Sequence, residues 1–269
     1  MSGTISRPNT HRPFSRRPFS QRPFSRRAVL GGLAATGAAT LWGGSDAMAA
    51  PSLASAYPSI LKFQVTRDGN PIGHVMERYR PVGQDLQVDV FIGFMVSLAF
   101  IPVYRYEHRS RETWRDGRLV RLETVTNDNG DAQQVKGRAV SGGFDVEGME
   151  GPVTAPADIL PSSYWHPRFT DSSRMLDSQL GRILEFDIAR VGSERIEAMG
   201  QPVEADRFAM RGDIDLDFWY DADRVWQKMA FTIKGGFMEY TRVAPAPEDE
   251  GQFGSPLSTG IALPPPGTA

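Results

Sequence analysis

The feature that most constrains this sequence is a two-residue alternation of apolar and polar side chains that runs from Ile60 to Val243. This period is typical of β-strands with one buried face and one solvated face. Turn sequences such as Asp68-Gly69, Asp116-Gly117 and Asn129-Gly130 interrupt the alternation about every eight to twelve residues. Since short turns join antiparallel neighbours, the pattern predicts an antiparallel meander of about a dozen strands.

Curling of such a meander removes most of its exposed strand edges. We therefore predict an all-β fold, an antiparallel meander that forms a partly closed barrel or half-barrel. The best candidate for a short helix is Met175–Leu180. Residues 151–174 contain four prolines, which interrupt a hydrogen-bonded ladder, so this segment is predicted to be a Pro-rich loop that forms a lid.

The apolar segment Phe91–Tyr104 contains no charged residue. One interpretation is a pair of strands that is covered on both faces. The other is an apolar lip over a cavity, because a large exposed apolar patch usually marks a binding surface.

The first 49 residues have the composition of an export signal. Residues 1–27 contain seven arginines and no acidic residue. Arg26-Arg27 precede an uncharged stretch, up to Trp42, that is too short to span a bilayer. Ala47-Met48-Ala49 fits a signal-peptidase site, and the paired arginines resemble a twin-arginine signal. We expect recognition by the twin-arginine export machinery, cleavage by signal peptidase after Ala49, a periplasmic location and no stable membrane anchor in the mature form.

The remaining chain is predicted to contain one β-rich domain, residues 50–243. Residues 244–269 are rich in Pro and Gly and carry the acidic run Glu248-Asp249-Glu250. This composition favours a disordered tail, because it offers few apolar side chains to bury.

The composition excludes several functional classes. The chain has no cysteine, which rules out disulfides, thiolate metal sites, a cysteine nucleophile and the lipid-modified cysteine of an outer-membrane lipoprotein. The formal net charge of −2 becomes −8 when residues 1–49, with seven arginines and one aspartate, are removed. Nucleic acids and anionic membrane surfaces attract basic proteins, so both are disfavoured as partners. His74, His108 and His166 lack a diagnostic metal-binding spacing, and we predict no metal and no cofactor.

The strand Val103–Trp114 carries the residues of greatest chemical interest. Its odd positions, from Arg105 to Arg111, form a charged face that is predicted to point to solvent. Its even positions are predicted to point into the barrel; they are Tyr104, Tyr106, His108, Ser110, Glu112 and Trp114. His108 and Glu112 lie about 13 Å apart along an extended strand. Each therefore needs a hydrogen-bond partner from a neighbouring strand or from the Pro-rich loop.

Three interpretations of this polar face stay open. The first is a satisfied polar network that only fixes the curvature of the sheet. The second is a ligand-binding pocket, whose candidate residues are Tyr104, Tyr106, His108, Ser110, Glu112, Trp114, Trp165, His166, Asp177 and Tyr220. The third is a hydrolase in which His108 or His166 is the base, Glu112 or Asp177 its partner, and Ser162 or Ser163 the nucleophile.

Several short motifs in this order resemble one protein family. They are Asp68-Gly69-x-x-Ile72-Gly73, Tyr106-Glu107-His108, Glu112-x-Trp114-x-Asp116-Gly117-x-Leu119, Ser163-Tyr164-Trp165, Leu176-Asp177 and Trp219-Tyr220-Asp221. Together they resemble an uncharacterised bacterial exported-protein family, domain of unknown function 6134, over roughly residues 60–243. The chain is also distantly similar to exported β-meander families of the lipoprotein-carrier type, a resemblance of fold that implies no catalytic residues.

The leading functional hypothesis is an exported protein that binds or carries an apolar or amphipathic small ligand, such as a lipid, in the periplasm. One alternative is a periplasmic hydrolase with a His/carboxylate pair. Another is a structural envelope protein with a filled core.

Overall fold

The computed structural model of the chain describes residues 57–255, 257 and 263, and the predicted signal segment 1–49 lies outside them. The described residues form fourteen strands. Their bounds are β1 Ile60–Arg67, β2 Asn70–Val82, β3 Asp85–Leu98, β4 Ile101–Arg115, β5 Arg118–Asp128, β6 Asp131–Val140, β7 Gly143–Gly148, β8 Gly151–Pro156, β9 Arg174–Leu176, β10 Ile183–Ala198, β11 Gln201–Gly212, β12 Leu216–Tyr220, β13 Trp226–Ile233 and β14 Gly236–Val243.

All strand pairs are antiparallel, and sequence neighbours pair throughout, except between β8 and β9. The first and last strands, β1 and β14, also pair. Only one seam of the described sheet is then left unsealed, between β8 and β9, so the predicted all-β, nearly closed barrel is confirmed. Beside the seam, the backbone N–H of Met149 donates to the carbonyl of Leu180 at 2.8 Å.

Turn chemistry explains several of the hairpins. Asp68-Gly69, Asp116-Gly117 and Asn129-Gly130 all have positive φ at both residues, which is the backbone geometry that matches the twist of tight hairpins. Lys234-Gly235 adopts the same geometry, although lysine is not a residue type that marks such a turn in a sequence. Gly at the second position is the residue type that tolerates this conformation best.

The segment between β8 and β9, residues 157–173, fills part of the barrel interior, and we call it the plug loop. Trp165 packs against Tyr79 of β2 and Trp114 of β4. Phe169 packs against Phe186 of β10 and Phe218 of β12. The loop therefore contacts two separate parts of the barrel wall, and its aromatic side chains belong to the main core.

Two local predictions in this region are wrong. Residues 151–156 continue the ladder as β8 despite Pro152 and Pro156, because β8 lies at the edge of the sheet, where a missing N–H is tolerated. Met175 and Leu176 belong to β9 rather than to a helix. The Asp177 carboxylate then accepts from the backbone N–H groups of Gln179 and Leu180, which fixes a turn in place of a helix.

The described start of the predicted disordered tail is ordered. Residues Pro247–Phe253 form a 3-10 helix on the outer face of β1 to β4. Phe253 clusters there with Ile60, Met76 and Phe91, and Asp249 pairs with Lys62 at 2.8 Å. A few apolar residues in this segment are enough to order it, because the sheet offers an apolar patch for them to pack against.

Because of this helix, the prediction that the charged face of β4 points to solvent is partly wrong. Arg109 is only 5% exposed. It lies over the Phe91 ring and donates to the carbonyl of Gln252. The charged face of β4 does point away from the barrel interior, but the C-terminal segment covers part of it.

Candidate functional site

A cavity of about 730 Å³ lies within the barrel beside the plug loop. Its apolar walls include Ile92 and Phe94 of β3, Met229 and Phe231 of β13, and Tyr240 of β14. A cavity of this size is within the range of small-molecule sites.

The two-residue period of β4 places its even positions on the cavity wall, as predicted. Tyr104, Tyr106, His108, Ser110 and Glu112 all line the cavity. The next even position, Trp114, is fully buried. It lies behind the cavity wall and does not line the cavity. The strand therefore brings five of the predicted site residues together.

Glu112 is a fully buried carboxyl group whose Oε2 accepts two indole hydrogen bonds. Trp114 Nε1 donates at 2.9 Å and Trp165 Nε1 donates at 3.0 Å. Burial raises the pKa of Glu112 to about 7, and the indole donors of Trp165 and Trp114, together with the nearby Ser163 hydroxyl group, oppose this shift. The prediction was that Glu112 finds a partner from a neighbouring strand or from the Pro-rich loop, and the loop supplies it through Trp165.

Glu77 of β2 is a second buried acid on the cavity wall, and the sequence analysis missed it. Its Oε2 accepts from the hydroxyl group of Tyr79. Burial raises the pKa of Glu77 well above its ordinary value, and the charge of Glu112 adds to the effect. Val75 and Tyr79 flank Glu77 at a period of two and are also buried, so the same alternation could have identified Glu77 as an inward-facing acid.

His108 forms a 2.7 Å hydrogen bond between its Nδ1 atom and Thr126 Oγ1 of β5. A neighbouring strand therefore supplies its partner, as predicted. Burial lowers the pKa of His108 to about 4, so the ring is neutral at neutral pH.

Tyr104 and Tyr106 belong to a polar network towards the other end of β4. Tyr104 donates to Asp128 at 2.6 Å, and Tyr106 donates to Gln179 at 3.0 Å. Gln179 in turn donates to Asp128 at 3.4 Å. Asp177 also lines the cavity, but its oxygens hold the turn after β9 and the side chain of Arg182.

Three other predicted site residues lie behind the wall. Trp165 and Tyr220 are buried in the core, and Tyr220 donates to the carbonyl of Tyr164. His166 stacks on Trp114 at 4.9 Å, and its Nδ1 accepts from the backbone N–H of Arg168. These residues position the plug loop rather than line the cavity.

The contacts of the candidate catalytic residues do not match a nucleophile–base pair. Ser162 Oγ accepts from the backbone N–H of Ser178, and Ser163 lies beside Glu112. Since the Nδ1 atoms of both histidines bond elsewhere, the geometry does not favour a His/carboxylate hydrolase.

The inner part of the cavity contains an unusual group of polar atoms. Within the described residues, four buried side-chain atoms on its lining have no hydrogen-bond partner. They are Glu77 Oε1, Glu112 Oε1, Ser110 Oγ and Ser178 Oγ. Buried polar atoms are nearly always hydrogen-bonded, so a group of four such atoms indicates a place where something binds.

The two interpretations of the apolar segment 91–104, a covered strand pair and an apolar lip, each hold for a different part of it. Phe91 is covered on the outer face, whereas Phe100 at the hairpin tip is 100% exposed. Ile101 and Val103 are also exposed, and Val103 lines the cavity. The tip of the β3–β4 hairpin is therefore an apolar lip beside the cavity.

In the part of the chain that the structure describes, no group of three or more His, Asp or Glu side chains is placed to hold a metal ion. The described residues also include no helix with the length and hydropathy required to cross a membrane.

Comparisons with known proteins agree with this architecture. The family model described as domain of unknown function DUF6134 matches residues 63–243. A crystal structure of a β-barrel-like protein of domain of unknown function DUF1849 from Brucella abortus matches with a TM-score of 0.50 and 9% identity, covering 68% of this chain and 95% of that one. No curated protein is similar enough to count as a match. At this identity the structural likeness concerns the fold alone.

Proposed function

Since this chain belongs to the DUF6134 family, whose description names no activity, we propose from the cavity itself that the barrel binds an amphipathic small molecule. The observation that carries the proposal is a cavity of about 730 Å³ that combines apolar walls with a few convergent polar groups. Ligand sites generally have this composition, in which apolar contacts supply affinity and polar groups fix orientation. A filled structural core would leave no such volume.

A binding titration tests the proposal directly. N-phenyl-1-naphthylamine, a neutral apolar fluorophore, is expected to bind with saturable fluorescence enhancement. Ile92→Trp fills part of the cavity and is expected to weaken this binding at least tenfold. Val191→Trp places the same ring on an exposed position of β10 and serves as the control. Equal binding by both variants would contradict the proposal.

We also propose that the mature protein acts in the periplasm after export through a twin-arginine-type signal. The arginine-rich start, the uncharged stretch and the Ala47-Met48-Ala49 site support this. N-terminal sequencing of the exported protein is expected to begin at Ala50. A periplasmic product that retains residues 28–42 would contradict the proposal.

A further inference from the structure

We propose that the inner end of the cavity, between Glu77 and Glu112, is a subsite for a hydrogen-bond-donating head group, either a hydroxyl or a protonated amine. The ligand class is then a neutral or cationic amphiphile that enters head first. This inference rests on the proposed function and specifies the chemistry of the same cavity.

The first argument is the set of unpartnered atoms. Glu77 and Glu112 are 0% exposed, Ser110 is 2% exposed and Ser178 is 5% exposed. All four line the cavity, and each has one polar atom without a partner among the described residues. A head group with donors would satisfy the two carboxyl oxygens, while the two hydroxyl groups can donate or accept.

The second argument is the distribution of charge along the cavity. Glu77 pairs with Leu61 near the start of β1, whereas Arg67 ends that strand. The separation along β1 is about 20 Å at the usual rise per residue. Of the charged lining residues, the cations Arg67 and Lys234 adjoin hairpin turns at the far end. Asp128 lies near them, because it accepts from Tyr104, whose ring Lys234 covers, so the far end carries both signs of charge. Lys234 is exposed, which marks the far end as the open one.

The third argument is the cost of the wrong head group. A carboxylate or phosphate at the inner end would be buried beside Glu112, where desolvation and, above about pH 7, repulsion by the ionised carboxylate both oppose it. An anionic amphiphile would keep its charge better solvated at the open end, where Lys234 is exposed. An apolar chain end at the inner position would leave the four polar atoms unsatisfied. A donor head group avoids both of these costs at the inner end.

The middle of the cavity matches an apolar body. Phe94 stacks on Tyr106 with 4.9 Å between ring centroids, and Met229 and Phe231 face the same space from β13. An alkyl chain attached to a head group at Glu112 would lie against these side chains. The head-first orientation therefore satisfies both the polar and the apolar parts of the lining.

Three probes with the same chain length test the inference by calorimetry at pH 8: decylamine and decanoate below their micelle concentrations, and 1-decanol below its solubility limit. Decylamine and decanol are expected to bind at least tenfold more tightly than decanoate. Glu112→Gln keeps an oxygen acceptor for both indole groups and is expected to weaken decylamine binding about tenfold. The same substitution should change decanol binding less than about threefold.

Glu123→Gln is the matched control, because Glu123 is a buried acid of β5 that lies outside this cavity and pairs with Arg121. It is expected to bind all three probes as the wild type does. The comparison of probes on the wild type needs no variant, so it holds even if Glu112→Gln fails to fold.

Equal affinity for the three probes, or tightest binding of decanoate, would overturn the inference and leave the proposed function standing. Binding of none of them, together with no N-phenyl-1-naphthylamine binding, would overturn both.

Discussion

At the scale of single residues, the inner end of the cavity holds two fully buried acids, Glu77 and Glu112, next to a middle part that is largely apolar. Glu112 is tolerated because two indole N–H groups stabilise its carboxylate against the cost of burial. Glu77 has one such donor, the hydroxyl group of Tyr79. These contacts make specific predictions about stability and pH.

The first prediction concerns Glu112→Gln. Burial raises the pKa of Glu112 from 4.5 to about 7, so the folded state keeps a proton that the unfolded state releases in this interval. The Glu112 contribution to the free energy of unfolding therefore falls as pH rises from 4.5 to 7 and is constant above that. Relative to the wild type, Glu112→Gln should gain about 3 kcal/mol between pH 4.5 and pH 8. Urea denaturation across this range measures the difference, and parallel curves would refute the account.

A second prediction separates the role of Trp165 from simple packing. Trp165→Phe removes the indole donor to Glu112 and should cost about 1–3 kcal/mol. The cost should be larger at pH 8 than at pH 5, because the donor favours the ionised carboxylate. Trp226→Phe removes a 2.9 Å bond to the carbonyl of Lys228 instead, and its cost should not depend on pH. Urea denaturation at both pH values provides the comparison, and a pH-independent cost for Trp165→Phe would exclude the proposed link.

At the scale of strands, alternation was a sufficient guide to which side chains face the cavity. It placed His108 and Glu112 inward correctly and would have placed Glu77 inward too. Alternation carries no information about depth, partners or coverage by distant segments. For that reason it could not predict that Trp165 reaches Glu112, or that the C-terminal 3-10 helix buries Arg109.

The approach of β2 to β3 depends on Gly73. A Cβ atom at this position would lie 2.0 Å from the carbonyl oxygen of Gly93 and 2.6 Å from the Cα atom of Phe94. Gly73→Ala should therefore force the strands apart and destabilise the protein by about 3 kcal/mol. Gly192→Ala is the control, since an added Cβ meets nothing within 4 Å in the described chain, and it should change stability by less than about 0.5 kcal/mol. Thermal unfolding of both variants tests this, and equal melting temperatures would be inconsistent with the close approach.

The C-terminal 3-10 helix offers a similar matched pair. Phe253 is 9% exposed and packs beneath Arg78, so Phe253→Ala should cost about 3 kcal/mol. Phe100 is fully exposed at the hairpin tip, and Phe100→Ala should stay within about 0.5 kcal/mol of the wild type. Chemical denaturation measures both. A neutral Phe253→Ala would mean that the helix does not pack on the sheet.

At the scale of the whole molecule, barrel closure depends on pairing between the first and last strands. Lys62 of β1 lies opposite Val243 of β14, a contact between residues distant in sequence. The two-residue alternation predicted a meander that curls into a barrel. It could not predict which residues of the first and last strands pair, or how large a cavity remains, because both depend on the summed volumes of side chains from many strands. The plug loop is the clearest case, because its proline content predicted a loop and its aromatic residues did not specify which part of the interior they would fill.

The central claim is that this interior is a ligand site. Native mass spectrometry of the protein purified from its cells without detergent tests it most directly. The wild type is expected to carry a small organic molecule that dissociates on activation, and Ile92→Trp is expected to carry none. Repeated preparations in which the wild type shows only the mass of its polypeptide would contradict the claim.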